Sequence, residues 1–201
     1  FDYPQSPNHG TAQVGVIAAS WQQTPNPNGT MPLETFNIGA LGIAPNATTA
    51  FFPLMDLESL DDGTGGRAPT AWFNAMEWLR FGDVLSAGYI GLDFGTDFSN
   101  ISFNPANHTL IETATNLGIS VVIGAGDYNV DLEELEFPNE IDPGHISVCA
   151  ITPGGGVGSA AKRWATSRGD SNYVAAAIDV SKNTCAAWGA AVVTTGMGPG
   201  Q

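Results

Sequence analysis

The side chains of this chain that could do chemistry are few and far apart. There are three histidines and two cysteines, the latter Cys149 and Cys185. Asp127 closes the stretch from Leu117 to Asp127, in which the apolar, β-branched run Ile119 to Ile123 ends in Gly124, Ala125 and Gly126. A run of that kind reads as a strand buried on both faces, as in a parallel sheet. In such sheets the working groups sit just past the carboxyl ends of the strands, which marks Gly124 to Asp127 for attention. His9 stands at the leading edge of a segment, to Ala19, with small and apolar residues at helical spacing, and an imidazole there can move protons near neutral pH. Cys185 opens a small-residue run, and a thiol becomes a good nucleophile when a neighbouring His lowers its pKa. Each has a plainer reading. His9 can be a satisfied polar residue, Asp127 can cap a turn through backbone N–H groups, and Cys185 can be a small core residue or half of a disulfide.

Composition limits the partners. The chain has 201 residues with 43% hydrophobic content, enough for one domain that buries roughly 70% of its unfolded surface. Twenty acidic residues against six basic ones give a net charge of −14, which repels phosphate backbones and anionic membranes. No nucleic acid partner and no membrane span are expected. Neither a cofactor nor a metal is expected. Gly154 to Gly158 lacks the spacing of a phosphate loop, and the acidic run from Asp131 to Asp142 reads as a solvated loop, lacking the regular ligand spacing of an EF-hand. A nucleotide-binding reading has no glycine fingerprint to support it. Four glycosylation sequons begin at Asn28, Asn46, Asn100 and Asn107. With the acidic, lysine-poor composition they point to a secreted glycoprotein whose start lacks the basic region of a signal peptide. His108, inside the last sequon, is expected to be exposed.

The elements that must position these residues alternate. Helices are expected over His9 to Ala19, Arg67 to Phe81, about Thr109 to Leu117, and Asn183 to Thr195. Strands are expected around Thr49 to Phe52, Asp83 to Ile90, Ile119 to Ile123, His145 to Ile151 and Tyr173 to Ile178. Strands alternating with helices give an α/β fold with a mostly parallel sheet. The two cysteines, one in a strand and one at a helix start, are placed apart.

In chain order these pieces resemble the subtilisin-like serine peptidases over nearly the whole length. Asn8 to Thr11 followed by Val14 to Ala18 is similar to the family's catalytic-histidine helix. Leu41 to Ala47 resembles its "GVAP" segment, and Phe73 to Trp78 with Asp83 and Val84 its next helix and substrate-side strand. Gly118 to Gly126 matches the strand that leads to the oxyanion-hole asparagine, and Ile146 to Ile151 the strand after it, with a cysteine where proteinase K-like members carry one. Asn183 to Ala187 falls on the "GTSMA" nucleophile motif. The resemblance implies a three-layer subtilisin-like fold, a single domain over residues 1–201, incomplete at both ends relative to the family.

It also implies where the catalytic parts should be, and there the chain departs. Acyl transfer needs a nucleophile, a His to take its proton, an acid to orient that His, and oxyanion donors. His9 keeps its place, Cys185 stands for the Ser, and Asp127 stands for the oxyanion Asn. Only eight residues precede His9, where the family has the strand bearing its orienting acid. An ionised Asp127 would aim negative charge at a developing oxyanion, and losing one donor there costs about 10²–10³ in rate. The sedolisins place a protonated Asp at this position beside a Glu and an Asp, whereas here His9 is followed by Ala12 and Gln13. The substrate-lining loop is reduced to Asp179 to Lys182, and Gly88 to Gly91 replaces the family's "SLGG" edge. The expectation is therefore a catalytically inactive, secreted peptidase homologue with a structural or binding role. Its partner would be another protein or further segments of a larger processed protein. The alternative is an endopeptidase using Cys185 and His9, with Asp127 as a protonated donor in acid.

Overall fold

A computed structural model of the chain describes residues 8–18, 42–52, 68–87, 102, 105–126, 129–132, 142–152, 162–163, 165–166, 169–171, 173 and 183–188. The chain divides into two compact units, Phe1–Phe51 with Ala191–Gln201, and Phe52–Ala190.

In the first unit, α1 (Asn8–Ala18) covers the small-residue segment expected to be helical. Its last carbonyls, which have no partner inside a helix, are satisfied from outside. Ile43 N–H donates to Val16 O at 2.9 Å and Ala44 N–H to Ile17 O at 2.7 Å. The strand expected around Thr49 to Phe52 is not formed: residues 47–52 are irregular, and Phe51 is exposed. β-Branched and aromatic residues favour a strand only where a partner strand and a buried face exist, and among the described residues none pairs with them.

The second unit is α/β. Helix α2 (Ala68–Trp78) buries Ala71, Trp72 and Ala75, four-residue spacing that makes one apolar stripe. Arg80 Nη1 donates to Glu77 O and Leu79 O, both at 2.9 Å, satisfying carbonyls at the end of the helix. A turn through Gly82 (φ +89°) then leads into β1 (Val84–Ala87). Helix α3 (Pro105–Asn116) begins with Pro105, whose fixed φ suits a first turn. It ends in a Schellman motif: Gly118, at φ +78°, donates to Thr115 O at 2.9 Å, and Ile119 donates to Ala114 O at 3.1 Å. The next strand is β2 (Ser120–Gly124), the central run of the sequence.

Strand β3 (Ile146–Thr152) lies beside β2. Short pieces follow: β4 (Lys162–Arg163), and β5 (Ala165–Thr166) paired antiparallel with β6 (Gly169–Asp170). The last described element is β7 (Thr184–Trp188). β1, β2, β3 and β7 form an all-parallel run in that order, and β4 pairs antiparallel with the far end of β3. β7 corrects the helix expected over Asn183 to Thr195. Its alanines favour helix, but five residue pairs with β3, from Ser147↔Thr184 to Ile151↔Trp188, together with Ser147 N–H to Asn183 O at 2.8 Å, hold Thr184 to Trp188 extended. Residues 189–195 lie outside the described residues.

Register assigns the faces. Paired residues on neighbouring strands share a face, and Leu85↔Val121, Ala87↔Ile123, Ile123↔Ser147 and Cys149↔Ala186 are pairs. Val121 and Ile123 pack with Trp72, Ile111, Ala114 and Ile119, so α2 and α3 cover this face. Ala125, Leu132 and Cys149 make a smaller buried cluster. The opposite face carries Val84, Val122, Ile146, Val148 and Cys185, of which Val84, Ile146 and Cys185 are exposed. Among the described residues no helix is long and apolar enough to cross a membrane.

Candidate functional site

The three residues marked for catalysis fare differently. His9 lies in the first turn of α1, in the first unit. Asp127 lies outside the described residues. Cys185 is the second residue of β7, in the second unit, and is exposed. It therefore occupies the interior of a hydrogen-bonded ladder, not the N-terminus of a helix. The reversal matters chemically. A helix N-terminus offers free N–H groups and a partial positive charge that depress a thiol's pKa, and a strand offers neither.

The cysteines are closer than expected. Val148 pairs with Cys185 and Cys149 with Ala186, so the thiols sit on adjacent strands one step out of register and on opposite faces. Both are free: Cys149 is buried and Cys185 exposed. Their Cβ vectors point apart, the arrangement a disulfide cannot span without backbone movement. Burial, and secondarily the nearby Cys185, push the Cys149 thiol up to about 11. Cys149 is thus a small core residue, held protonated.

Of the sequons, Asn46 is exposed, and Asn28 and Asn100 lie outside the described residues. Asn107 is 6% exposed on the inner face of α3. A glycan on that amide has no room without opening the helix. His108, expected at the surface, is 1% exposed. The reason is helical periodicity: 107, 108, 111 and 114 fall on one side, and that side is the one laid on the sheet.

The structure gathers polar groups that the sequence left scattered. His145 is 3% exposed, and its Nε2 lies 3.0 Å from Ser147 Oγ. Ser147, itself buried, pairs in register with Thr184, whose buried Oγ1 has no hydrogen-bond partner among the described residues. His108, whose Nδ1 is 3.3 Å from Ser102 O, is close enough to His145 to disfavour its charge. The turn before His145 is tightly held. Gly144 (φ +82°) donates its N–H to Asp142 Oδ1 at 2.7 Å, and Thr115 Oγ1 of α3 donates to Pro143 O at 2.6 Å. Desolvation lowers His145 to about 4, against the attraction of Asp142. A signal for this cluster existed: His145, Ser147 and Cys149 alternate, the period that puts side chains on one strand face.

Among the described residues no group of three or more His, Cys, Asp and Glu side chains could hold a metal ion. No protein-family model, curated protein or solved structure matches this chain.

Proposed function

We propose that this chain is a catalytically inactive α/β domain of subtilisin-like architecture, secreted and glycosylated. On this reading its sheet is a scaffold that binds another protein or further segments of a larger processed protein. The supporting observation is the setting of Cys185, exposed in the middle of a parallel ladder. That position is not a helix N-terminus with its free N–H groups, and the second thiol is held protonated by burial. The order of the sequence fragments supports the ancestry, and their departures at the nucleophile and oxyanion positions support the loss of activity. The test is a pair of activity probes, a fluorophosphonate and a thiol-directed electrophile, applied from pH 3 to pH 8 with a peptide-library cleavage assay. No labelling above the rate of a free thiol and no cleavage are expected. Cleavage in acid that Cys185→Ala and His9→Ala both abolish would establish the enzyme instead.

A further inference from the structure

The buried polar cluster between α3 and the entry to β3 is not used by that reading, and the following does not depend on it. One hydrogen bond joins α3 to the turn before β3 here, and two more hold that turn and the strand entry in place. Thr115 Oγ1 holds Pro143 O at 2.6 Å, the Asp142–Gly144 turn fixes the path of the backbone, and the His145–Ser147 pair sits beneath at 3.0 Å. Pro143 is fully buried, and His108 enters from α3 at 1% exposure. Two imidazoles thus lie in a place that water does not reach. In their neutral form they are compact polar groups that hydrogen bonds can satisfy. In the charged form each needs hydration or an anion, and each opposes the other.

We propose that this cluster is an acid-responsive latch: protonation of His145, buried beside His108, releases α3 and the 142–145 turn from β3 while α2 and β1 stay folded. Among the described residues, charged and titratable groups bear on His145 from its own turn, from α3 and from β3. Asp142, from its own turn, favours the charge and His108, from α3, opposes it. Glu112 stands one helical turn beyond His108, and Cys149 lies two residues past Ser147 on the same strand face. β2 contributes only Ser, Val, Ile and Gly, and on the shared face β7 brings Thr184 and Ala186. One carboxylate at the turn is outweighed by burial, so the ring stays neutral at pH 7 and resists charging until well into acid. Below that point the latched state loses its advantage over any state in which the ring is wet.

The experiment is hydrogen exchange read by mass spectrometry on the full chain at pH 7 and pH 4, corrected for intrinsic exchange. Protection over 105–116 and 142–147 is expected to fall about a hundredfold, the factor by which a His lowered from 6.5 to about 4 favours an open state at pH 4. Protection over 68–87 is expected to hold. His145→Gln keeps a hydrogen-bonding side chain toward Ser147 but cannot charge, and it should keep α3 protected at pH 4. Should that variant not fold, NMR titration of the imidazoles in the unmodified chain decides the same point. A His145 ring that titrates far below 6.5 in step with α3 amide shifts supports the latch. Loss of protection at one common pH across 68–87 and 105–116, unchanged acid opening in His145→Gln, or a His145 ring titrating near 6.5 overturns it.

Discussion

Thiol reactivity tests the register of β3 and β7 and the loss of catalysis together. At any pH below its pKa a thiol is ionised in proportion to 10 raised to (pH − pKa). The shift of Cys149 from 9.0 to about 11 therefore cuts its thiolate about a hundredfold. At pH 8 this means about one thiolate in a thousand, against about one in ten for an unperturbed thiol. Because Cys149 is only 7% exposed, access slows it further. Cys185 is exposed and on the other face. Iodoacetamide labelling of the native chain at pH 8, followed by peptide mapping, should show Cys185 alkylated first and Cys149 at least a hundredfold more slowly. In denaturant the two should be alike. Cys185→Ser should remove the fast phase and His9→Ala should leave it unchanged. Equal native rates, or an intrachain disulfide that forms on mild oxidation, would refute the opposite-face register. A fast phase that weakens in His9→Ala would refute the claim that the thiol is unactivated.

Ile123→Ala, at a fully buried position facing α3, should cost about 2–5 kcal/mol through lost transfer energy and the cavity left behind, read from urea unfolding. Ser171→Ala deprives the Ala150 N–H of its acceptor at 2.8 Å and should cost about 1–3 kcal/mol in the same assay. Gly118→Ala places a Cβ on a residue at φ +78° and against the Phe81 ring, so about 1–2 kcal/mol of left-handed strain should appear even after Phe81, itself exposed, moves aside. The folded pKa of His145, about 4, lies below its unfolded value of 6.5, so the unfolded state binds the extra proton first. Its contribution is complete above pH 6.5 and disappears as pH falls to about 4, a loss of about 3 kcal/mol that His145→Gln should abolish in denaturant curves taken across that range.

The parts of the fold legible in the sequence are those where local pattern and tertiary packing agree. Ile119 to Ile123 is apolar, β-branched and closed by glycine, and it became β2 within a residue. Helix α3 ends where Gly118 can take a positive φ, close to the expected boundary at Leu117. Failures fell where they disagree. Thr184 to Trp188 holds two alanines and follows Asn183, so its local preference is helical, but the ladder with β3 decides the outcome. Thr49 to Phe52 has the opposite problem, strand-like residues with no strand beside them among the described residues. The sequon around His108 suggests a surface, whereas helical phase relative to Ile111 buries it. The candidate site was legible only as chemistry-bearing residues. Which of them meet depends on register, and the cluster that does form, His108 with His145 and Ser147, joins residues from two elements that no local pattern connects.

Charge balance gives the acid response its local character. At neutral pH the chain carries −14, and that self-repulsion works against the compact state. Acidification toward pH 4 discharges many of its twenty acidic residues, so repulsion across the molecule falls as protons bind. For most of the surface, mild acid is therefore no threat. The buried His145 imidazole is the exception, since it gains charge away from water while the surface carboxylates lose theirs. The same proton that relaxes the surface strains the joint between α3 and β3. A protein with few bases and many acids should accordingly yield first at this joint when the pH falls, and not by general unfolding. Six basic side chains are too few to build up the positive charge that drives ordinary acid denaturation until the carboxylates are nearly all protonated.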